Sequence, residues 1–490
     1  MSKFNQKSES NICYSYEGGE LCKKDILSDW MNFLFSSFLS DQFYESGQKQ
    51  IQRFQELTKS IIEKYGPKFV AKACVFARKE LGMRSSAALV AAMLNDYSFD
   101  DKRHFFANAV NRPDDVAEIF AAIDKVCGSK RSHAAVRGLG DYISSLGEYQ
   151  LGKYKLKGKA YNMFDIINIT HANSDAINKY KKGILESPDT WEVKISTSND
   201  KQAEWRRLVI EDKLGYIALI RNLNNIIESV LSENTDMFIK KYLLPQLTNE
   251  NKIRKSLVFP YQIYCAYKNL HYDSNIIIKA LEKAFVISCK NMPEFDGNSA
   301  IALDVSGSME TPISGRSSIT LKEVGACYGV ALWLRNPNSN TKLIKFGNVA
   351  KPCDLNPYNG VFENIEAFAK NSNCGYGTEV SSIFTDTIHE FFRRIFIISD
   401  MQTMDTEADA RYRYLRAPHA VDAVQKYRQK YNDNIQIYSF DLANYGGSVV
   451  NTSEDNIHML TALNDKVISM IPFIETNSQN MFDIINNYSY

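Results

Sequence analysis

The first 300 or so residues place apolar side chains at the three- and four-residue spacing of amphipathic helices. In residues 69–77 the apolar positions share one helical face, and Gly66-Pro67 before them is a helix stop followed by a helix start. Residues 116–123 repeat this pattern after Pro113 and two acidic residues, which suit a helix N-terminus. Further amphipathic helices are predicted at residues 26–39, 51–65, 85–94 and 208–227. Helices joined by short turns predict an α-solenoid of helix pairs. No repeat recurs at a fixed period, so an irregular helical bundle stays open.

Near residue 300 the pattern changes to short apolar runs that alternate with amphipathic segments. The apolar runs predict strands at residues 300–304, 342–346, 394–400 and 435–440. The segments between them predict helices at residues 318–334, 361–369, 380–392 and 417–431. Alternating strands and helices imply parallel strands with right-handed crossovers, and therefore an open, doubly wound α/β sheet. Such sheets bind ligands at the carboxyl ends of their strands.

Oxygen-bearing side chains cluster at these predicted strand ends. Asp304, Ser306 and Ser308 follow the first strand with the spacing Asp-x-Ser-x-Ser, and Asp400 ends a second strand. The glycine-rich loop 375–378 adds a third hydroxyl, that of Thr378. One set of carboxylate and hydroxyl oxygens suits a hard divalent cation, and we expect Mg²⁺. The Asp-x-Ser-x-Ser spacing alone is weak, because both residue types are common in turns.

The composition excludes several classes of protein. A chain of 490 residues is long enough for more than one domain, and its 44% hydrophobic share is ordinary for a globular protein. No long apolar run and no apolar signal core near the start are present, so we expect a cytoplasmic protein without a membrane partner. Nine scattered cysteines and seven histidines form no zinc-type spacing. A net charge of +1 means that a polyanion must be held by local basic patches, and we expect no DNA partner.

The strand-end pattern resembles the metal-ion-dependent adhesion site of a von Willebrand factor A domain. The resemblance implies that Asp304, Ser306 and Ser308 hold the metal, and that Thr378 and Asp400 reach it directly or through water. Five segments of the first half resemble signatures of the TROVE module, at residues 76–85, 111–119, 147–154, 213–223 and 257–264. In this order, followed by the A-type domain, they resemble the Ro ribonucleoprotein family over nearly the whole chain.

This resemblance implies an all-α, HEAT-like helical-repeat ring joined to a Rossmann-like A domain. The corresponding bounds are an N-terminal segment at 1–20, a TROVE domain at 21–297, an A domain at 298–475 and a tail at 476–490, either disordered or packed on the sheet. The family implies binding of Y-like small non-coding RNA on the outside of the ring. It also implies binding of the single-stranded 3′ ends of misfolded RNA in the hole, and an RNA tether to a 3′-to-5′ exoribonuclease.

The densest basic stretch lies at residues 153–159, where four lysines occur in seven positions beside tyrosines. Lysines neutralise phosphates and aromatic rings stack on unpaired bases, although a solvated loop has the same composition. By the resemblance, Lys153, Lys157 and His171 belong to the RNA-binding face, and Arg137 is a weaker candidate. Arg221 either faces the hole or caps a helix C-terminus, and the same two alternatives apply to Arg254 and Lys255.

The residues favour binding over catalysis. Ser306 stands where an aspartyl phosphotransferase needs a second Asp, and the chain has neither a nucleotide P-loop nor a nucleophile elbow. We therefore predict a non-catalytic RNA-binding protein of RNA quality control or RNA scaffolding. The alternative is a protein-interaction scaffold whose metal site captures an acidic residue of a partner. A Mg²⁺-dependent hydrolase acting on RNA is a third class, for which no general base is evident.

Overall fold

The protein was examined as a computed structural model. It describes residues 12–14, 20–23, 26–36 and 47–490, except 155, 157, 186–187, 232–234, 315–316, 338–339, 404–419, 444, 446, 451–455, 462–467, 469–470, 473–474 and 476–480. The chain forms two compact units. The helical unit comprises residues 33–39, 48–213 and 470–490, and the sheet-containing unit comprises residues 1–32, 40–47 and 214–469. This division falls inside the helical region, so the domain bounds given above stay a prediction.

Short helices build the helical unit, as the apolar spacing predicts. They are α1 (Ile26–Ser36, which begins in the other unit), α2 (Gly47–Tyr65), α3 (Pro67–Lys79), α4 (Ser85–Met93), α5 (Lys102–Asn108), α6 (Pro113–Cys127), α7 (His133–Ser144), α8 (Glu148–Lys153), α9 (Met163–Thr170), α10 (Asp175–Lys181), α11 (Trp191–Thr197) and α12 (Lys201–Ile210). Pro67 and Pro113 each stand in the first turn of a helix, where the missing N–H costs nothing.

A buried ion pair joins two of the signature segments. The Arg78 guanidinium of α3 donates to Asp115 of α6 through Nε at 2.8 Å and Nη2 at 2.7 Å. The same carboxylate accepts the backbone N–H groups of Asn111 and Arg112, each at 2.9 Å. Arg84 pairs with the neighbouring Asp114. These residues therefore fix α3 against α6, and their role in the described structure is to hold the fold.

The sheet-containing unit carries further helices and the strands. The helices are α13 (Tyr216–Arg221), α14 (Leu223–Glu228), α15 (Thr235–Phe238), α16 (Leu244–Leu247), α17 (Glu250–Ser256), α18 (Pro260–Lys268), α19 (Asn275–Cys289), α20 (Leu321–Arg335), α21 (Val361–Ala369) and α22 (Ala420–Lys430). The strands are β1 (Ile12–Tyr14), β2 (Glu20–Lys23), β3 (Ser299–Asp304), β4 (Thr341–Phe346), β5 (Ala350–Pro352), β6 (Arg394–Ser399), β7 (Gln436–Asp441), β8 (Gly447–Ser448) and β9 (Ile457–Thr461).

Six strands form the main sheet in the order β5-β4-β3-β6-β7-β9. All neighbours pair in parallel except β5, which is antiparallel to β4 at one edge. On one face α20 packs closely, because a Cβ at Gly325 would lie 2.6 Å from Leu303. On the other face α22 joins the buried cluster that contains Ile395 and Ile397. Helices on both faces of a mostly parallel sheet confirm the predicted fold class, a helical region plus a doubly wound α/β region. Separately, β1 pairs with β2 and β2 with β8.

Two predicted helices are wrong in extent. The segment 208–227 is not one helix: α12 ends at Ile210, Asp212 takes a left-handed conformation, and α13 starts only at Tyr216. The segment 380–392 holds only a short helical turn, Ile383–Thr387, after which Ile388 is extended. Ile388 and Phe392 are nonetheless buried in the same cluster as Ile383. The apolar positions have the spacing of an amphipathic helix, but Ile388 and Phe392 belong to the connection to β6, which buries them in the same cluster as Ile383.

The C-terminal residues return to the helical unit and not to the sheet. The helix α23 (Met481–Asn486) packs against α3. Phe482 stacks on Phe69 with ring centroids 4.9 Å apart, and the Tyr488 ring meets Phe76 edge-on. The Tyr488 hydroxyl donates to Glu80 at 2.9 Å. The described part of the tail is thus ordered by aromatic contacts, which neither sequence alternative anticipated.

Candidate metal centre and nucleic-acid interface

The candidate metal centre lies at the carboxyl ends of β3 and β6. These strands are parallel neighbours with Leu303 opposite Ile398, so Asp304 and Asp400 leave the sheet side by side. The loop after β3 is held to the glycine-rich loop by the Gly307 N–H, which donates to the Tyr376 carbonyl at 2.9 Å. The side-chain amide of Asn371 also bridges both loops, donating to the carbonyls of Val305 and Gly375 at 2.8 Å each. Three segments distant in sequence are therefore fixed around one point.

The predicted ligands all come to this point. Asp304 Oδ1 accepts the Ser306 N–H at 2.9 Å, and the Ser306 and Ser308 hydroxyls lie 3.3 Å apart. The Thr378 hydroxyl is buried and lies within hydrogen-bonding reach of Asp304. Asp304 and Asp400 are fully buried, whereas Ser308 is partly exposed. Two carboxylates and three hydroxyls thus share one side of the sheet, and the way to solvent passes Ser308.

Burial makes this arrangement electrostatically costly unless a cation is present. Desolvation raises the pKa of Asp304 above its ordinary value, although hydrogen bonds from Ser399 and Ser306 oppose the rise. Desolvation and the nearby Asp304 charge raise the pKa of Asp400 even further, against a smaller lowering by Ser308. In the described structure Asp400 Oδ2 is buried without a hydrogen-bond partner. A buried carboxylate oxygen without a partner is unfavourable, and a bound cation would satisfy it.

The residues present therefore fit a hard divalent cation such as Mg²⁺. Asp304, Ser306, Ser308, Thr378 and Asp400 would hold it with oxygen atoms alone. Within the described ranges, the candidate centre included, no group of three or more His, Cys, Asp or Glu residues could hold a metal ion. A cation at this edge of the sheet would accordingly depend on hydroxyl ligands beside the two carboxylates.

Sequence reasoning missed two polar residues at this centre. The Ser399 hydroxyl donates to Asp304 Oδ2 at 2.6 Å and so orients the first carboxylate. Asp441 ends β7 opposite Ser399, is fully buried, and adds to the negative field on Asp400. The signal for Asp441 was present, since a predicted strand at 435–440 runs directly into a carboxylate. Met401 holds a left-handed φ of 60°, which turns the chain so that the Gln402 N–H donates to Asp400.

The candidate RNA-binding residues lie in the helical unit. Lys153, the last residue of α8, is half-buried between two aromatic rings, 6.0 Å from the Tyr149 centroid and 5.9 Å from the Tyr154 centroid. Its ammonium also pairs with Glu192 at 3.7 Å. Tyr149 is exposed. A lysine against exposed tyrosine rings can meet both a phosphate and an unpaired base.

The other three candidates differ in how well they are placed. Arg137 on α7 is exposed, and α7 packs against α9, whose C-terminus His171 caps in a left-handed conformation with φ 53°. The His171 ring is exposed. Lys157 lies outside the described residues. Nearby, Lys159 pairs with Glu118 at 3.1 Å, so this lysine of the basic stretch is neutralised by a carboxylate.

Within the described residues, no helix is long and apolar enough to cross a membrane.

This architecture was compared with protein families, curated proteins and solved structures. Residues 171–272 match the family model of the TROVE domain. Telomerase protein component 1 of Rattus norvegicus is 28% identical over 86 residues, which are 18% of this chain and 3% of that protein, and the protein of the same name from Mus musculus matches equally. The chain thus spans a small fraction of these relatives. The crystal structure of the Ro (RSR) protein of Deinococcus radiodurans superposes with a TM-score of 0.64 at 16% identity, over 91% of this chain and 99% of that chain. Residues 171–272 are thus similar to the TROVE domain, and the fold of the described residues is similar to that of a Ro protein.

Proposed function

We propose that this protein binds RNA without acting on it chemically, as a Ro-type RNA quality-control or scaffolding factor. The observation that carries the proposal is the TROVE match over residues 171–272, in a chain whose fold is that of a Ro protein. The finer proposal is that a Y-like small RNA and the single-stranded 3′ ends of misfolded RNAs are its ligands. A 3′-to-5′ exoribonuclease would then associate through the bound RNA.

The surface chemistry of the helical unit supports this proposal. Lys153 beside the exposed Tyr149 offers a charge and a stacking surface at one place. Arg137 and His171 are exposed on helices that pack together. With a net charge of only +1, affinity for a polyanion must come from such local groups.

A variant series in a gel-shift titration tests the proposal. Lys153→Ala should weaken binding of a hairpin RNA with a single-stranded tail and lower the salt slope by roughly 0.7 to 0.9, the contribution of one phosphate contact. Lys68→Ala is the matched control, because Lys68 belongs to the same unit and pairs with Asp101 at 4.0 Å, much as Lys153 pairs with Glu192 at 3.7 Å, but lies outside the basic stretch 153–159. Equal losses in both variants would mean that only overall charge matters, and the assignment of Lys153 to the interface would fall.

The exonuclease tether has a separate test. Tagged protein should recover a 3′-to-5′ exoribonuclease from an extract of its host, and ribonuclease treatment before capture should abolish the recovery. A recovery that survives ribonuclease would replace the RNA tether by direct protein contact.

A second candidate function rests on the metal centre. The partnerless Asp400 Oδ2 and the partly exposed Ser308 support a cation with one coordination position open to solvent. An acidic residue of a partner protein would fill that position. Asp304→Ala should abolish Mg²⁺ binding in calorimetry and any Mg²⁺-dependent partner capture, while RNA binding survives. Loss of RNA binding in a folded Asp304→Ala protein would instead mean that RNA binding depends on the metal centre, and the proposal of two independent functions would fail.

A further inference from the structure

A cleft in the sheet-containing unit has no role in the functions proposed so far. It has a volume of about 560 Å³ and opens between the helices α13 and α14 on one side and α18 on the other. Its lining consists of Ile217, Ile220, Arg221, Leu223, Asn224, Gln262, Cys265, Ala266 and Asn269. Small-molecule sites in proteins span roughly 300–1,000 Å³, so the cleft is large enough for one organic ligand.

The cleft combines an apolar floor with a fixed polar wall. Ile217, Ile220 and Ala266 supply aliphatic surface. Asn224 spans the two sides: its amide donates to the Asn269 carbonyl at 2.8 Å, and its oxygen accepts the His271 N–H at 3.0 Å. Because both ends of this side chain are bonded to the end of α18, the cleft is preformed. A flat heterocycle fits such a slot between helices.

Arg221 gives the cleft its charge. The C-terminus of α13 is capped by Asn222, whose backbone and side-chain N–H groups both donate to the Ala218 carbonyl. Arg221 is exposed and, within the described chain, makes no hydrogen bond and no ion pair. The structure therefore removes the helix-capping role that the sequence left open for it. An exposed guanidinium that lines a cleft together with aliphatic side chains is suited to a phosphate.

The neighbouring helix adds further positive charge. α17 packs against α13 and exposes Arg254 and Lys255. Its acidic residue, Glu250, is already paired with Lys290 at 2.9 Å. α17 thus adds two exposed positive charges beside α13, which favours an anionic occupant.

We propose that this cleft binds one nucleotide, with the base against the aliphatic floor and the phosphate at Arg221. The nucleotide is either free or one residue of an RNA strand, and in the second case the inference rests on the RNA binding proposed above. All lining residues fall within the segment 171–272 that matches the TROVE domain.

The Cys265 thiol provides a direct readout, because it lines the cleft, is half-buried and forms no disulfide. Full-length protein is alkylated in the presence of uridine monophosphate, uridine, inorganic phosphate or a ten-nucleotide oligouridine, and each cysteine is followed by mass spectrometry. At a nucleotide concentration about ten times Kd, alkylation of Cys265 should slow about tenfold. Cys127 and Cys353, which are also partly exposed and lie outside the cleft, should be unaffected.

Two variants make the test specific. Arg221→Gln should weaken protection by uridine monophosphate about 10- to 100-fold, the effect of one charged hydrogen bond, and leave the weaker protection by uridine unchanged. Lys283→Gln is the matched control, since it removes an exposed positive charge of the same unit outside the cleft lining. Ala266→Phe should abolish protection by filling the cleft, with circular dichroism as the check that it folds.

Each outcome decides between the proposals. Protection of Cys265 by the mononucleotide with no binding of any RNA would support the cleft and overturn the RNA-binding function. RNA binding in a gel shift without protection by either mononucleotide or oligouridine would overturn the cleft and leave the function standing. Protection by inorganic phosphate equal to that by the nucleotide would reduce the site to an anion site and overturn the base-binding half of the inference.

Discussion

Removing the buried carboxylate of Asp115 should cost far more stability than removing a matched exposed one. Arg78 and Asp115 are each only 5% exposed in their side chains, whereas Arg103 and Asp141 form a similar two-bonded pair that is 56% and 44% exposed. Both pairs belong to the helical unit. They differ in burial and in the two backbone N–H groups that Asp115 also accepts, and both differences act in the same direction.

The expected magnitudes follow from that difference. Asp115→Ala leaves the Arg78 guanidinium buried without its carboxylate and the N–H groups of Asn111 and Arg112 without an acceptor, so we expect a loss of about 3–5 kcal/mol. Asp141→Ala should cost only about 0.2–1 kcal/mol, because solvent screens the exposed pair. A double variant, Arg78→Met with Asp115→Leu, should recover much of the loss, since it leaves no unpaired buried charge.

Hydrogen exchange is the suitable assay, because a chain of 490 residues with two compact units need not unfold in one step. Amides of α3 and α6 that exchange by opening of this contact should lose about two to three and a half orders of magnitude of protection in Asp115→Ala. In Asp141→Ala the loss in α7 should stay within about one order of magnitude. Equal losses in the two variants would refute the argument that burial of this pair fixes α3 against α6.

Further predictions concern the metal centre, the tail and the basic surface. Asp400→Asn should stabilise the metal-free protein, because it removes a buried charge beside Asp304. The same variant should abolish the rise in melting temperature that Mg²⁺ produces, and a retained rise would exclude Asp400 as a ligand. The pKa values of Asp304 and Asp400 are raised in the folded protein, so the metal-free fold should lose stability as the pH rises above the ordinary pKa range of a carboxyl group. In a thermal-shift series Mg²⁺ should therefore raise the melting temperature more at pH 8 than at pH 5. An equal rise at both pH values would contradict this prediction. Phe482→Ala should weaken docking of residues 481–490 by about 1–3 kcal/mol, because it removes the ring contacts with Tyr65 and Phe69. The expected result is faster proteolysis of the tail; unchanged proteolysis would mean that these rings do not hold it. Lys153→Glu should weaken RNA binding more than Lys153→Ala does, and identical affinities would remove charge from the account of this residue.

The sequence was sufficient to predict that the oxygen-bearing side chains of the candidate metal centre meet, because their positions depend on strand ends. Asp304 and Asp400 each terminate an apolar run, and parallel neighbouring strands bring such ends together without further information. Ser399 was not identified because it lies inside the predicted strand, where a hydroxyl is normally structural. The helix predicted at 380–392 failed because Ile388 and Phe392 keep helical spacing while the backbone is extended.

The helical unit shows the opposite balance. Apolar side chains at helical spacing predicted α1, α2, α3, α4 and α6, whereas α5 and α7 to α11 were not predicted. Contacts between distant segments could not be predicted from the sequence pattern. Examples are the ion pair of Lys153 with Glu192 and the hydrogen bond from the Tyr488 hydroxyl to Glu80. A basic run therefore identified a candidate surface but not which lysine stays available on it. The aromatic docking of the tail was missed because isolated aromatic residues in a polar segment carry no periodic signal.

The central proposal is that this protein binds RNA, and a gel-shift titration of the full-length protein tests it most directly. A hairpin RNA with a single-stranded 3′ tail is compared with the same hairpin blunt-ended, each at two salt concentrations. We predict tight binding at low salt that weakens as salt rises and is stronger for the tailed RNA. No binding of either RNA at low salt, or binding that does not respond to salt, would contradict the account.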